Sequence, residues 1–130
     1  MPYQEPIDCI MTEGVQSVTP KQTVEDAQWL LLEFGIHHLP VTHEERLVGI
    51  VTTTDILRHR IAKGDAYKAP VEDIMQADVM TLNRDATLGE AARVLATGEI
   101  HSAPVIDDAR NLVGIVTSTD LINYLRQQAG

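Results

Sequence analysis

The sequence has 130 residues, which is long enough for one compact domain with a hydrophobic core. Hydrophobic residues make up 44% of it and aromatic residues only 4%, a composition typical of a globular α/β protein rich in aliphatic side chains. Its 10 basic and 19 acidic residues give a net charge of −9, which argues against a nucleic-acid partner because an acidic surface repels phosphate groups.

The sequence also indicates where in the cell the protein is located. No apolar run approaches the roughly 18 residues that a membrane-spanning helix needs, and the first five residues do not have the pattern of a signal peptide. The single cysteine, Cys9, cannot form an internal disulfide, as is usual in a reducing environment. We therefore expect a cytoplasmic protein that makes no contact with a membrane.

A nine-residue segment near the middle of the chain occurs a second time near its end. Residues 47–55 read LVGIVTTTD and residues 112–120 read LVGIVTSTD. Upstream matches, such as that of Pro40 with Pro104, lie 64 residues apart, whereas the two segments lie 65 apart. The second copy therefore has one extra residue, which we place in a loop at residues 107–111 because insertions collect in loops. The repeat predicts two copies of one structural unit.

The first copy is predicted to contain two helices and two strands. Thr23 is a good N-cap, acidic residues follow it, and apolar residues then recur at helical spacing until Gly35, which indicates a helix between these two positions. The runs Leu39–Val41 and Leu47–Val51 are short, β-rich and separated by a polar turn, as in a pair of strands. A second helix is predicted from Thr52 to about residue 62.

The second copy repeats this order, with helices predicted near Leu88–Thr97 and Ser118–Gln127 and a polar linker, Lys63–Pro70, before it. We assign the copies to residues 1–65 and 66–130. Because a copy this short cannot bury a sheet face alone, we expect the two copies to pack sheet against sheet about a pseudo-two-fold axis. The predicted fold class is therefore α/β (α+β).

A threonine–aspartate motif stands at the start of the last helix of each copy, at Thr52–Asp55 and Thr117–Asp120. Taken alone, it is explained by a capping box, in which the hydroxyl and the carboxylate satisfy free backbone amides. The same geometry suits a nucleoside monophosphate, because a helix N-terminus attracts phosphate and an aspartate can accept hydrogen bonds from two ribose hydroxyls. The motif by itself leaves both interpretations open.

Several segments, taken together and in order, resemble a known family. Ile10-Met11-Thr12, the run GIHHLPV at residues 35–41 and the run GIVTTTD at residues 49–55, which returns as GIVTSTD, resemble the CBS (cystathionine-β-synthase) domain. Two such copies, from about Ile7 to Leu125, resemble a Bateman module. The resemblance implies a β-α-β-β-α unit in each copy, dimerisation of two modules, and binding of AMP, ADP, ATP or S-adenosylmethionine in clefts between the repeats.

The resemblance also implies which residues would bind such a ligand. Asp55 and Asp120 match the ribose-binding aspartate of the family. Residues that match ribose and phosphate contacts are Thr52, Thr54, Thr117, Thr119, His37 and His101. Residues that match the adenine slot, or a contact reaching across from the other repeat, are Thr23, Thr87, Leu39, Pro40, Ile50, Ala103, Pro104 and Ile115.

The charges near these positions depart from the family pattern. Some nucleotide-sensing members carry arginine just after the phosphate-contacting histidine, whereas this chain has His38 and Ser102 there. Arg58 follows the first motif, but its counterpart in the second copy is Asn123, so we expect weaker phosphate binding at Asp120. A monophosphate or an uncharged adenosyl ligand fits this acidic chain better than a triphosphate, unless Mg²⁺ accompanies the latter.

The sequence does not have the motifs of a metal or catalytic site. His37 and His38 are adjacent, so in a strand they would point to opposite faces, and there is no cysteine cluster to bind zinc. The sequence also has neither a Ser-His-Asp order nor a glycine-rich phosphate loop, which are motifs that would indicate catalysis. We therefore expect a regulatory ligand-sensing module that is not an enzyme and signals to an unknown effector protein by shifting its conformation. The alternatives are a dimerisation scaffold without a ligand and a nucleotide hydrolase.

Two pairs of apolar residues lead to further expectations. Trp29 and Phe34 lie five residues apart on the first predicted helix, so both cannot centre on one face. We expect one of them to be exposed or buried in a subunit contact, which favours a homodimer. Met11 and Met75 are equivalent in the two copies, and we expect both to pack in the core.

Overall fold

The computed structural model describes residues 2–64, 67–98 and 100–129. The α-helices are α1 (Val24–Phe34), α2 (Thr53–Lys63), α3 (Leu88–Leu95) and α4 (Ser118–Ala129). The strands are β1 (His38–His43), β2 (Arg46–Thr52), β3 (Leu82–Asn83), β4 (Ser102–Ile106) and β5 (Leu112–Thr117). Short 3₁₀ turns lie at Pro2–Gln4, Ile7–Cys9 and Val71–Asp73. This mixed architecture confirms the predicted α/β fold class.

Contacts between residues divide the chain into two compact units. The central unit consists of Gln16–Val79, and the terminal unit joins Met1–Val15 to Met80–Gly130. The N-terminal segment thus lies in the same compact unit as the second copy of the repeat. The boundary predicted between residues 65 and 66 lies outside the described residues.

The central unit contains a β-hairpin packed against α1 and α2. Strands β1 and β2 are antiparallel, with Pro40 opposite Ile50. Glu44 and Glu45 form the two-residue turn between them, and both have positive φ angles, as tight hairpins require. The buried core of this unit consists of Val18, Val24, Ala27, Leu31, Leu39, Val41, Val51, Ile56 and Val71.

The leading strand implied by the family resemblance is reduced to one bridge in the central unit. Val18 pairs in parallel with Val41 through two backbone hydrogen bonds, from its amide to the Pro40 carbonyl at 3.0 Å and from the Thr42 amide at 2.8 Å. Pro20 follows closely and has no amide to donate, which is consistent with a pairing that does not extend further.

The terminal unit contains a three-stranded sheet. Strand β3 runs parallel to β4, which is antiparallel to β5 with Pro104 opposite Ile115. Helix α3 ends at Leu95, two residues before the predicted end, where a turn leads to Gly98 in the left-handed region at φ 77°. The buried core of this unit consists of Ile7, Leu82, Ala86, Leu88, Ala91, Leu95, Ala103, Val105 and Val116.

The extra residue of the second copy lies in the loop where it was predicted. Strands β4 and β5 are joined by a loop that is organised by the Asp107 carboxylate, which accepts the amides of Ala109 and Asn111 at 2.9 Å. Hydrogen bonds from Asn111 lower the pKa of Asp107, and the charge of Arg84 acts in the same direction. The loop is therefore ordered by its own polar groups.

An extended segment also pairs with the second hairpin strand of each unit. Gln76 and Ile50 exchange two backbone hydrogen bonds in the central unit, at 2.9 and 2.8 Å, and Thr12 and Ile115 do so in the terminal unit, at 2.9 and 3.0 Å. Gln76 and Thr12 lie 64 residues apart, so they are repeat equivalents. The preceding methionines, Met75 and Met11, pack against the respective cores, as predicted. None of the described helices is long and apolar enough to cross a membrane.

Candidate functional site

The predicted carboxylate of the central unit lies at the start of α2 and is buried. Thr52 and Asp55 form the capping box, in which the Thr52 amide donates to Asp55 Oδ2 at 2.8 Å and the Asp55 amide donates to Thr52 Oγ1 at 3.2 Å. The Thr52 hydroxyl also lies 3.0 Å from Oδ2. Gln76 Nε2 lies 3.2 Å from both Oδ1 and Oδ2, and Asp55 is only 8% exposed. Protein groups thus surround this carboxylate.

The equivalent carboxylate of the terminal unit lies at the start of α4 and is more open. The Thr117 amide donates to Asp120 Oδ2 at 2.9 Å, and the Asp120 amide donates to Thr117 Oγ1 at 3.0 Å. Asp120 is half-buried and faces a hollow of about 180 Å³. The other lining residues of the hollow are Cys9, Ile10, Asn123, Tyr124 and Gln127. A small polar group such as a ribose fits the chemistry of this surface.

The amides at these two helix starts are mostly occupied. The first amide of α2, from Thr53, donates to the His37 carbonyl at 3.1 Å, and that of α4, from Ser118, donates to the His101 carbonyl at 2.9 Å. The histidine side chains are exposed. Within the described ranges, the Thr54 and Thr119 amides are the first-turn donors left without a partner. Each site therefore offers one free amide and one exposed hydroxyl to a phosphate.

The residues predicted for the adenine slot separate onto two faces of each hairpin. Pro40 and Ile50 are direct cross-strand partners, so their side chains share one face. Leu39 lies on the other face, in the core of the central unit. In the terminal unit, Pro104 and Ile115 are likewise cross-strand partners and share one face, and Ala103 lies on the other face, in the core. Of the four residues in the proline–isoleucine pairs, Pro40, Ile50 and Pro104 are buried, and Ile115 is the one that is partly exposed.

Thr23 and Thr87, predicted to reach a ligand, cap the first helix of each copy. The Thr23 hydroxyl accepts the Asp26 amide at 3.1 Å, and the Asp26 carboxylate accepts the Thr23 amide at 3.0 Å. The Thr87 hydroxyl accepts the Glu90 amide at 3.2 Å. Both hydroxyls retain their proton as a donor, so capping does not exclude a ligand contact.

The sequence identified Ser102 only as a departure from the family pattern, and it did not point to Gln76. Ser102 stands directly opposite Thr117 in the β4–β5 pair, is 6% exposed, and its hydroxyl has no hydrogen-bond partner within the described part of the chain. Gln76 supplies the amide against Asp55. The difference between Gln76 and its repeat equivalent Thr12 was visible in the sequence and is the signal that could have found it.

The hollow beside Asp120 has little other charge. Desolvation raises the pKa of the Cys9 thiol, and the carboxylates of Glu5 and Asp8 act in the same direction. Desolvation, followed by the effects of Cys9 and Glu5, raises the pKa of Tyr124. Both groups therefore stay neutral near pH 7, and no lysine, arginine or histidine is among the described lining residues. The described residues also bring together no group of three or more histidine, cysteine or carboxylate side chains that could hold a metal ion.

A second hollow of about 320 Å³ lies between α1 and α2 and is mainly apolar. Leu31, Leu32, Ile56, Leu57 and His37 are among its lining residues. Several apolar side chains in the described residues are exposed on the helices of this unit, namely Trp29, Leu32, Phe34, Leu57 and Ile61. Both aromatic residues of α1 are therefore exposed, where one was expected.

Two copies of an α/β unit, each ending in a helix capped by a threonine–aspartate pair, define a tandem-repeat module. The family model described as "CBS domain" matches residues 7–62 and, again, residues 71–127. The chain therefore belongs to the CBS domain family and carries two copies of the domain.

Relatives and solved structures agree with this assignment. The CBS domain-containing protein YhcV of Bacillus subtilis is 32% identical over 92% of this chain and 85% of its own length. The crystal structure of CBSX2 in complex with AMP has a TM-score of 0.87 at 27% identity, covering 97% of this chain and 99% of that one. The CBS domain pair of protein MJ0100, in complex with 5-methylthioadenosine and S-adenosyl-L-methionine, has a TM-score of 0.82 at 30% identity, covering 95% and 97%.

Other relatives are much longer than this chain. It spans 47% of uncharacterized protein MJ1225 of Methanocaldococcus jannaschii, at 30% identity over 92% of this chain. It spans 22% of the inosine-5'-monophosphate dehydrogenase of Thermoplasma acidophilum, at 32% identity over 88% of this chain. The module thus occurs both in proteins of about its own size and as a minor part of an enzyme.

Proposed function

We propose that this protein is a regulatory module that binds an adenosyl compound and signals by a change of conformation. AMP, 5-methylthioadenosine and S-adenosylmethionine in two related CBS pairs support this ligand class. The observation that carries the proposal here is the terminal-unit site. There an accessible carboxylate, Asp120, faces a hollow. The buried Ser102 hydroxyl does not line that hollow, but Ser102 stands opposite Thr117, whose amide binds Asp120, and its hydroxyl has no partner within the described residues.

The chemistry of that site favours particular contacts. Asp120 Oδ2 accepts the Thr117 amide, so Oδ1 is the oxygen best placed to accept ribose hydroxyls. The exposed Thr119 supplies one amide and one hydroxyl for a phosphate or another polar group. Ile115, which is partly exposed, supplies apolar surface for the base, whereas its cross-strand partner Pro104 is fully buried. His101 lies at the same helix start and would contact a phosphate through its exposed side chain.

Charge narrows the ligand class. The chain has a net charge of −9, and the lining of the Asp120 hollow contributes no cation among its described residues. Burying several phosphate charges beside a carboxylate without compensation is unfavourable. We therefore favour S-adenosylmethionine, 5-methylthioadenosine or AMP over ADP and ATP, and a triphosphate would need Mg²⁺.

Signalling would follow from population shift. A ligand that binds one conformation more tightly moves the equilibrium towards it by the difference in binding free energy. The exposed apolar side chains on α1 and α2 support a homodimer, and an effector protein would read the favoured conformation. We propose a cytoplasmic, non-catalytic role. The matched region is only 22% of the length of the dehydrogenase, which supports the non-catalytic part of this proposal.

Thermal unfolding with AMP, ATP and S-adenosylmethionine tests the proposal. A ligand that binds only the native state stabilises it by about 2.7 kcal/mol at 100 times its Kd, so the midpoint should rise with ligand concentration. We expect S-adenosylmethionine or AMP to raise it and ATP to raise it less. No shift with any of the three at millimolar concentration would favour the scaffold alternative, and release of product after long incubation would favour a hydrolase.

A further inference from the structure

We infer that Gln76 closes the ligand site at Asp55, whereas its equivalent Thr12 leaves the site at Asp120 open, so that each chain binds one ligand rather than two. The inference rests on the proposed function and adds to it the stoichiometry and the residue that determines it. From Arg58 and its counterpart Asn123, the sequence predicted weaker phosphate binding at Asp120 than at Asp55. The inference makes Asp120 the stronger site, because it depends on access to the carboxylate rather than on nearby charge.

The closure at Asp55 follows from the hydrogen bonds to its two oxygens. Oδ2 lies within hydrogen-bonding distance of the Thr52 amide, the Thr52 hydroxyl and Gln76 Nε2, at 2.8, 3.0 and 3.2 Å. Oδ1 lies 3.2 Å from the same Gln76 nitrogen. A ribose would need these acceptor positions, and it would have to displace the glutamine amide to reach them.

Thr12 cannot form the same closure. It takes the same backbone position, exchanging two hydrogen bonds with Ile115 as Gln76 does with Ile50. Its hydroxyl oxygen is one bond from Cβ, whereas the Gln76 amide nitrogen is three bonds from Cβ, so the threonine side chain is shorter by two bonds. In the described part of the terminal unit, the Asp120 carboxylate accepts only the Thr117 amide. Asp120 consequently retains acceptor positions that Asp55 has lost.

Ser102 is a second observation in the terminal unit, on the strand beside Thr117 although not in the lining of the Asp120 hollow. It pairs directly with Thr117 across β4 and β5, so their side chains lie on the same face. Its buried hydroxyl has no partner in the described residues, and an unpaired buried polar group is unfavourable unless a bound molecule satisfies it. The central-unit equivalent is His38, so this hydroxyl is present only in the terminal unit.

Exchanging the two residues between the copies tests the inference. Isothermal titration of the full chain with S-adenosylmethionine, and separately with AMP, is carried out on the wild type, Gln76→Thr and Thr12→Gln. Gln16→Thr is the matched control, because it makes the same substitution at an exposed position of the central unit. We expect one equivalent bound per chain in the wild type and the control, and two in Gln76→Thr. In Thr12→Gln the affinity should fall roughly tenfold or more, the loss expected when a charge-assisted hydrogen bond must be displaced.

The outcomes separate the inference from the proposed function. Two equivalents of equal affinity in the wild type would overturn the inference and leave the function intact. One equivalent in both the wild type and Gln76→Thr would also overturn it. No binding of either compound to any variant would overturn the proposed function itself. Gln76→Ala, which removes the same amide, gives a second route to the open site if Gln76→Thr does not fold.

Discussion

The sulfur of Met75 lies 2.8 Å from the position that a Cβ atom on Gly49 would occupy, and the Gln76 carbonyl oxygen lies 2.9 Å from it. Real Cβ contacts are not this short, so only glycine allows the Met75–Gln76 segment to pair with β2. The same relation recurs at Gly114, where the Met11 sulfur and the Thr12 carbonyl oxygen each lie 2.9 Å from the position that a Cβ atom would occupy. The absence of a side chain at Gly49 and Gly114 therefore lets the Met75–Gln76 and Met11–Thr12 segments pack closely against β2 and β5. At Gly49 this packing brings Gln76 to Asp55.

This close packing predicts that Gly49→Ala and Gly114→Ala destabilise the protein. Each methyl group would force a backbone carbonyl to move, an overpacking effect that typically costs about 1–3 kcal/mol. The measurement is the free energy of unfolding in urea, with Gln16→Ala as an exposed control. An unchanged free energy in both glycine variants would show that the segment yields easily and is not closely packed.

Asp55 and Asp120 have different surroundings, so we expect that replacing each by alanine lowers the free energy of unfolding by different amounts. Asp120→Ala loses one cap, worth about 0.5–2 kcal/mol. Asp55→Ala leaves the Thr52 amide and hydroxyl without their acceptor as well as breaking the Gln76 contact, so we expect it to cost about 1 kcal/mol more. Urea unfolding without ligand measures both, and equal costs would argue against the closed geometry at Asp55.

The loop between β4 and β5 predicts a pH dependence of stability. The hydrogen bonds to Asp107 lower its folded pKa below the ordinary value of 3.8. A depressed folded pKa adds stability that is present above the unfolded pKa and is lost as the pH falls through the folded one. Asp107→Ala should therefore be less stable than the wild type above about pH 4, with the difference shrinking at lower pH. Asp78→Ala, at an exposed position, is the control, and a difference that is constant with pH would contradict the assignment.

The exposed apolar residues of α2 predict self-association through the helices. Leu57 is 56% exposed and Ile61 is 79% exposed, and the two lie one turn apart on α2. The double variant Leu57→Glu/Ile61→Glu should shift the protein towards monomer in sedimentation velocity, without a change in its circular dichroism. Ala62→Glu adds charge to the same helix at an exposed position and should leave the association unchanged. A wild type that sediments as a monomer at high concentration would refute the proposed homodimer.

The sequence predicted those parts of the fold that depend on local chemistry. Thr23 and Thr52 capped their helices as expected, because a cap depends on residues three positions apart. The contact of Gln76 with Asp55 spans 21 residues and depends on tertiary packing, so no local pattern could show it. The burial of Ser102 without a partner likewise results from packing. The ligand contacts of the predicted residues stay predictions.

The unpaired hydroxyl of Ser102 predicts opposite effects with and without ligand. Without ligand, Ser102→Ala removes a buried polar group that has no partner in the described residues, so the variant should be more stable than the wild type by about 1 kcal/mol. With S-adenosylmethionine or AMP, the same variant should gain less from the ligand, because the hydroxyl is no longer available to it. Thermal unfolding with and without ligand measures both. Ser17→Ala is the matched control, since its hydroxyl lies 3.5 Å from that of Thr42 and its removal should not stabilise the protein. A Ser102→Ala variant that is destabilised without ligand would mean that the hydroxyl is already satisfied in the free protein.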